Sequence, residues 1–224
     1  MSRALGRKTA YPSFGQRRGI RDFKSPDKPR LCSVRLFQLA VRLLRVAVRL
    51  FRPGVRLIQA AYHARSLALY ATLGFQARES LACMQGSPIG LSFAGYPVRK
   101  AREADLDACD RVCAFVHGHH RSGEVADAIQ QGTATVVEHE DRITGYASDL
   151  GFFGHAIGET KRDLMALIAA AVAFTGPGIL VPMRNAALFQ WCLEHRLRVV
   201  QVTTLMTIGL YSEPAGAHLP SILY

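Results

Sequence analysis

The chain has 224 residues, which is enough for one large domain or for one and a half smaller ones. Its composition, 49% hydrophobic and 20% charged, is ordinary for a soluble fold. The net charge of +11 is uneven, because residues 1–58 hold 15 Lys and Arg against 2 Asp and Glu, whereas residues 59–224 hold 13 against 15. The excess of positive charge therefore belongs only to the N-terminal quarter. It does not indicate that the protein as a whole binds nucleic acid.

Cysteine usage and the lack of a leader signal point to a reducing compartment. The five cysteines are odd in number and form no CxxC motif. Cys109 and Cys113 stand four apart on a predicted helix without further metal ligands, so we expect buried free thiols and no metal site. Residues 1–31 show no continuous apolar core of a secretory signal. The uncharged stretch 164–183 contains a Thr-Gly-Pro-Gly turn, so we expect a cytoplasmic protein without a transmembrane span.

The first 54 residues form a basic N-terminal segment. Residues 1–33 are polar and rich in Pro, Gly and Ser, so we expect disorder there. Residues 34–57 repeat a seven-residue VRL pattern, which predicts an amphipathic helix over 34–51 with a narrow stripe of arginines. Such a helix can lie on an anionic membrane surface, touch nucleic acid without reading its sequence, or pack on the next domain. It can also be low-complexity sequence with little selected role.

The next stretch, residues 55–86, predicts a strand, a helix, a glycine and a second strand. Val55–Tyr62 alternates as an apolar strand, and apolar residues over 67–73 recur at helical spacing. Gly74 fits the C′ position that ends a helix, because glycine adopts the left-handed conformation without steric cost. The alternating residues Ser80–Met84 predict the second strand.

This unit resembles the last helix and strand of the GCN5-related N-acetyltransferase (GNAT) family. The family pattern is Asn-x-x-(Ala/Ser)-x-x-Leu-Tyr-x-x-x-Gly-Phe, and the matching positions are Ser66, Leu69, Tyr70, Gly74 and Phe75. His63 stands where asparagine is usual. The elements that open the family's fold are not visible upstream. We therefore interpret residues 55–95 as the C-terminal part of an incomplete first copy, followed by a linker.

Residues 96–224 are interpreted as a complete copy with a C-terminal tail. The predicted order is strand, two helices, hairpin, strand, helix, strand, helix and strand, over 98–101, 103–116, 122–131, 133–150, 151–158, 162–174, 179–183, 185–195 and 199–210. The opening EADLDA and the hairpin TATVVEHEDRITGYAS resemble the family's first helix and its second and third strands. The resemblance implies an α/β fold with a mixed central sheet flanked by helices. The tail from residue 211 is expected on the surface or at a homodimer contact.

The end of this copy repeats the end of the first copy. Residues 185–209 match residues 63–86 in element type, and in length to within one residue, at an offset of 122 positions, although few residues are identical. Asn185 takes the place of His63, and Cys192 takes the place of Tyr70. The repeat predicts two tandem copies, of which the first is incomplete.

The resemblance implies that an acetyl group moves from acetyl-CoA to a primary amine. In the family, a splayed sheet admits the pantetheine arm at its central gap, and backbone N–H groups at a helix N-terminus hold the pyrophosphate. Element order places the pyrophosphate loop at 154–161, and the implied cofactor-binding residues are His155, Gly158, Glu159, Thr160 and Asn185. An ordinary turn between a strand and a helix is an equal interpretation of this loop.

The chemistry also needs an acid for the leaving thiolate and a base for the amine. The first copy has Tyr70 at the family's tyrosine position, and a tyrosine packed at the edge of the core is the alternative. The second copy has Cys192 there, which leaves Tyr146 as its candidate acid. The candidate bases lie in two loops and are Glu138, His139, Glu140, His117, His119 and His120.

The leading expectation is an acetyl-CoA-dependent N-acetyltransferase that acts on a small-molecule or protein amine. The alternative is a catalytically inactive GNAT fold, kept as a relic or as a regulatory or binding subunit. Either one could carry the basic segment as a membrane or nucleic-acid anchor. We expect no specific nucleic-acid partner.

Overall fold

The computed structural model of the chain describes residue 46 and residues 54–223. All of these residues belong to one compact unit, Ala40–Tyr224. Most of the predicted basic segment 1–54, with its helix over 34–51, therefore lies outside the described residues. Within it, Val46 is helical and half exposed.

Residues 54–223 form nine strands and five α-helices, and strands and helices are interspersed along the chain. The strands are β1 (Val55–Ala60), β2 (Gln76–Gln85), β3 (Val98–Lys100), β4 (Thr135–His139), β5 (Arg142–Ala147), β6 (Ala156–Gly158), β7 (Ile179–Pro182), β8 (Arg198–Ile208) and β9 (Ala217–Leu219). The helices are α1 (Ala64–Thr72), α2 (Leu106–His117), α3 (Ser122–Gln130), α4 (Lys161–Ala169) and α5 (Ala186–Glu194). The predicted α/β fold class is confirmed.

One sheet contains only strands that follow the linker. Its order is β3-β4-β5-β6-β9, and every neighbouring pair is antiparallel. The turn between β4 and β5 has φ of 52° at Glu140 and 57° at Asp141, the pair of left-handed residues that a tight hairpin needs. Alternate residues face opposite sides of these strands, so α2 and α3 cover one face and α4 covers the other.

The other sheet mixes strands from both sides of the linker. Its order is β1-β8-β2-β7, again antiparallel throughout. β8 lies between β1 and β2, and β2 lies between β8 and β7. Each strand that follows α1 or α5 therefore pairs with the strand that precedes the other helix.

The two strand–helix–strand units of this sheet are related by a pseudo-two-fold axis. The first and last residues of α5 are each 122 positions after the first and last residues of α1, so the two helices align residue by residue along the chain. The same offset converts the pair Ala60–Thr203 of β1 and β8 into the pair Leu81–Pro182 of β2 and β7. The central β2–β8 ladder carries one extra residue on each strand, and these bulged residues, Arg78 and Val200, are also 122 positions apart.

The helix ends repeat in the same way. Gly74 follows α1 with φ of 99°, and Arg196 follows α5 with φ of 68°. The residues after them, Phe75 and Leu197, are both buried and donate their N–H groups back into the helix. A left-handed residue at this position satisfies the last carbonyl groups of a helix, which explains why glycine is favoured there.

Several predicted boundaries need correction. The helix predicted over 162–174 ends at Ala169, because the turn around Gly176, which has φ of 62°, follows before β7 begins. The predicted strand 151–158 contains only Ala156–Gly158, and the preceding residues form bends. The strand predicted over Ser80–Met84 begins earlier, at Gln76.

Part of the C-terminal tail is buried and does not lie on the surface as expected. Its residues Ala217–Leu219 are buried, and they form β9, which pairs antiparallel with β6. The split between the two sheets, which the resemblance implies as the cofactor gap, lies between β6 and β7. β9 lies in this split, since it is bonded to β6 on one side and lies against β7 on the other. The expectation of an open central gap is therefore wrong.

No helix among residues 54–223 combines the length and the apolar character that are needed to cross a bilayer. The uncharged stretch that could have suggested a span consists of α4, a turn and β7.

Candidate functional site

A cavity of about 380 Å³ opens where the split between the sheets reaches the surface. The N-termini of α4 and α5 border it, together with the segment that leads into β9. Its polar and small lining residues include Glu159, Lys161, Arg184, Asn185, Gly216 and His218. Two helix N-termini and two cationic side chains give this cavity the features of an anion site, but the carboxylate of Glu159 lines it as well.

Two of the five predicted cofactor-binding residues line this cavity. Asn185 caps α5, and its Oδ1 accepts a long hydrogen bond of 3.4 Å from the N–H of Leu188. Glu159 receives two hydrogen bonds from the guanidinium of Arg142, at 2.6 and 2.7 Å. Because both side chains already have partners within the chain, each would have to exchange a bond to contact a cofactor.

The N-terminus of α4 is capped by the chain's own carboxylate. Asp163 Oδ2 accepts hydrogen bonds from the N–H and the hydroxyl of Thr160, and Asp163 N–H donates to Thr160 Oγ1. Thr144 donates a further bond, at 2.5 Å, to the other carboxylate oxygen. Asp163 is 1% exposed. A buried negative charge therefore already compensates the helix dipole at the predicted pyrophosphate position.

Gly158 lies in β6 rather than in a loop. A Cβ added to it would lie 2.7 Å from the Cβ of Asp163 and 3.0 Å from the carbonyl oxygen of Thr160. Its small size therefore makes room for the capping carboxylate and not for a phosphate. Within the predicted loop 154–161, β6 contains residues 156–158 and α4 begins at Lys161. Only Glu159 and Thr160 therefore lie between the strand and the helix.

His155 is fully buried behind β6 and does not line the cavity. Its Nε2 lies 3.0 Å from Nε2 of His117, so one imidazole donates and the other accepts. Its backbone N–H donates to Ser148 Oγ. Burial lowers the pKa of His155 well below its usual value, and burial followed by the nearby His218 lowers the pKa of His117 to about 3. Both rings are therefore neutral near pH 7.

The two predicted catalytic tyrosines lie in different clusters. Tyr146 is 1% exposed in the cluster under α2 and α3, and burial, followed by the Cys113 thiol, raises the pKa of its phenol. Tyr70 packs edge-on against Phe75 in a cluster with Met206. The structure therefore does not bring the two phenols together, and neither one lines the cavity.

The candidate bases are also dispersed. Arg99 donates to Glu138, the ring of His139 stacks on Tyr96, and Glu140 is exposed. In the other loop, His119 and His120 are exposed. His117 is the only one of these candidates whose ring meets β9, with its centroid 5.7 Å from that of His218.

No sequence pattern indicated the buried polar group that lies beside the split. Glu79 of β2 is buried, and Arg184 Nε lies 2.8 Å from its Oε1 in an ion pair without the geometry of a well-formed hydrogen bond. His218 Nε2 lies 4.0 Å from the other carboxylate oxygen, and Arg184 also contacts Glu213. Burial raises the pKa of Glu79, while Arg184 lowers it. Glu79, Arg184 and His218 come together only because the strands that they lie on or follow are neighbours in the fold. They are too far apart along the chain to form a recognisable sequence motif.

Among the described residues, no group of three or more His, Cys, Asp or Glu side chains has a geometry that could hold a metal ion. The buried histidines instead bond to one another, as described above.

Comparisons with known proteins support the fold. No protein-family model matches the chain, and no curated protein matches it. A solved structure from Pyrococcus horikoshii, provisionally described as an acetyltransferase, superposes with a TM-score of 0.58 at 13% identity and covers 80% of this chain. A GCN5-related N-acetyltransferase from Sphaerobacter thermophilus gives a TM-score of 0.50 at 12% identity over 81% of this chain.

The chain has an acetyltransferase-like fold. It spans 64% of the length of the Pyrococcus protein and 69% of the Sphaerobacter protein. At these identities the likeness concerns the fold alone, and the activities of those proteins do not transfer with it.

Proposed function

We propose that the chain uses its acetyltransferase-like fold as a binding or regulatory subunit and, with β9 in place, does not turn over acyl-CoA. The observation that carries this proposal is the position of β9 in the split between β6 and β7. The backbone groups of β6 that face the split are paired with β9. A pantetheine arm and β9 would need the same space and the same hydrogen bonds.

The electrostatics of the cavity support this proposal. A pyrophosphate at the N-terminus of α4 would approach the buried Asp163 carboxylate, which already occupies the positive end of the helix dipole. Like charges at short range are costly in a partly buried site. Of the two cationic side chains that line the cavity, Arg184 is paired with Glu79 and Glu213, which leaves Lys161 as the partly compensating charge.

The groups available for proton transfer also support it. Burial raises the pKa of the Cys192 thiol, which stands at the family's tyrosine position, to about 12. Tyr146 is buried against Cys113, and its phenol pKa is raised as well. A group that protonates a leaving thiolate must reach it and have a pKa matched to it. Neither side chain reaches the cavity.

N-acetyl transfer from acetyl-CoA to a primary amine is the second candidate function. It is favoured by the cavity itself, which lies where two helix N-termini meet the split. This function requires β9 to leave and requires Tyr70 or another group to act as the acid. With either candidate function, we propose a cytoplasmic location, a homodimer and a basic N-terminal segment that acts as an anchor.

Isothermal titration of the full chain with acetyl-CoA separates the two candidates. The proposal expects no saturable heat and no rise in melting temperature, with ATP as the control for nonspecific binding of a nucleotide. A ligand at about 100 times its Kd would stabilise the native state by about 2.7 kcal/mol, which a thermal melt detects readily. Saturable heat with acetyl-CoA and not with ATP would overturn the proposal and favour the transferase.

A further inference from the structure

We infer that β9 is a displaceable internal ligand, and that the slot between β6 and β7 binds an extended chain that carries peptide-like amide groups. This inference rests on the proposed function, because it explains why the chain as folded is closed to acyl-CoA. It goes further in stating that the closure is reversible and that a peptide strand and a pantetheine arm compete for one slot.

The first argument is the short backbone ladder of β9, whose remaining attachment is the packing of Ala217 and Leu219 in the core. β9 pairs with β6 through only three residue pairs, from Ala156–Leu219 to Gly158–Ala217. No ladder among the described strands joins it to β7, although the two strands lie side by side. A three-residue edge strand is short compared with the ladders of β2 and β8, so its removal leaves the remaining pairing intact.

The second argument is the shape of the position that β9 occupies. A Cβ added to Gly216 would lie 2.5 Å from the carbonyl oxygen of Gly158 and 2.9 Å from Cγ2 of Val116. Only glycine therefore permits the tail to approach β6 so closely. Ala215 N–H donates to the carbonyl of Val116 at 2.8 Å, which fixes the direction in which the tail enters the slot.

The third argument is the polar anchor on β9. His218 is 5% exposed, and its Nε2 is within 4.0 Å of Glu79 on β2 while its ring meets His117 on α2 edge-on. A single side chain thus contacts one element from each side of the linker. Beyond β9, Ser221 Oγ donates to the carbonyl of Phe153 at 2.8 Å. These are contacts at individual side-chain positions, as expected when a peptide adds to a sheet edge.

The fourth argument is that the route out of the slot is open. The segment 211–216, which leads into β9, has no helix or strand and is at least partly exposed throughout. It forms one wall of the 380 Å³ cavity. The segment that precedes β9 is therefore already at the surface and beside the cavity, on the route by which the tail would leave the slot.

The test is to dislodge β9 by one added methyl group. Gly216→Ala places a Cβ against the Gly158 carbonyl, while Gly123→Ala is the matched control, because a Cβ there meets nothing within 4 Å. Both full-length variants are titrated with acetyl-CoA and with pantetheine, which lacks the phosphates. If the tail closes the slot in all but about one molecule in a thousand, opening it raises the apparent affinity about a thousandfold, so the parent chain gives no saturable heat at ligand concentrations that saturate the variants.

A second variant ends the chain after Ser212 and so removes β9 altogether. The expected result is that this variant binds acetyl-CoA or pantetheine, and that a synthetic peptide of residues 213–224 competes with them while a scrambled peptide does not. Urea unfolding of each variant shows whether it is folded.

Each outcome of these experiments is decisive. Binding by the parent chain as tight as by the variants overturns both this inference and the proposed function. A folded Gly216→Ala or truncated chain that binds neither ligand overturns this inference alone. If both variants fail to fold, β9 is an integral core strand and the inference is likewise wrong.

Discussion

Thr203 donates a hydrogen bond from its hydroxyl to the carbonyl oxygen of Leu81 at 3.4 Å, and the two residues face each other in the β2–β8 ladder. They are also 122 residues apart, so each is the counterpart of the other in the repeat. The pair therefore marks the pseudo-two-fold axis of the sheet. The two bulges, at Arg78 and Val200, stand at matching distances on either side of it.

The two helix ends test this symmetry. Gly74→Ala is expected to lower the free energy of unfolding by about 1–2 kcal/mol, since φ of 99° is strained for any residue with a Cβ. Arg196→Gly, at the counterpart position with φ of 68°, is expected to raise it by up to about 1 kcal/mol. Urea unfolding measures both. Arg196→Lys is the control, because it keeps the charge and the strain; a stabilised Arg196→Lys would contradict the backbone explanation.

The ion pair at the start of α2 gives a prediction about acid. Arg99 donates to both carboxylate oxygens of Asp105, at 2.6 and 2.9 Å, and this bonding holds the pKa of Asp105 below its usual value. The stabilisation is therefore complete above the unfolded pKa of about 4 and is lost as the pH falls through the folded value.

We expect Asp105→Asn to lower the free energy of unfolding by about 1–2 kcal/mol at pH 7, a figure reduced for the partial exposure of Arg99. The difference should shrink as the pH falls through the lowered folded pKa of Asp105. Denaturant titrations over a series of pH values from 7 downwards measure it, with the exposed Glu140→Gln as control. A difference that is unchanged in acid would rule out the ion pair as its cause.

The buried histidines predict a loss of stability in mild acid. Burial lowers the pKa of His117 and of His218 to about 3, whereas an unfolded histidine titrates near 6.5. Between these values the unfolded chain binds more protons, so stability falls as the pH falls, by about 2 kcal/mol per buried histidine at pH 5. His218→Gln should flatten this pH dependence by about that amount, and the exposed His120→Gln should not. Equal slopes for both variants would refute the assignment.

Gly158 gives a prediction about packing. Gly158→Ala is expected to lower the free energy of unfolding by about 1–3 kcal/mol without any ligand, because the added Cβ overlaps Asp163. Gly123→Ala, in open space within α3, should be neutral or stabilising by up to about 1 kcal/mol. Thermal or urea unfolding compares the two. If Gly158→Ala is as stable as the parent, the glycine has a role other than packing.

Local signals in the sequence predicted most of the elements. Gly74 ends α1, and the turn at Glu140 and Asp141 joins a hairpin, because each depends on residues that are close along the chain. The similarity of the two strand–helix–strand units was also visible at its offset. The sequence did not reveal that the strands of the two units lie alternately in one sheet, in the order β1-β8-β2-β7.

The candidate site was predicted less well than the fold, for a related reason. Glu159 and Asn185 reach the cavity, but His155 and Tyr146 are buried elsewhere. The resemblance assigned binding and catalytic roles to residues by their position in the chain. The lining of the cavity, however, also depends on the C-terminal tail, which enters the split as β9. His218 reaches Glu79 over a separation of more than a hundred residues, and no local pattern encodes such a contact.

The alternation of strands has a consequence for proteolysis. A cut in the exposed stretch around Gly90 would leave β2 hydrogen-bonded on both sides by strands of the other fragment, β8 and β7. The nicked pieces would stay associated until the sheet itself melts. Neither piece could complete this sheet on its own, since each holds one of its two inner strands.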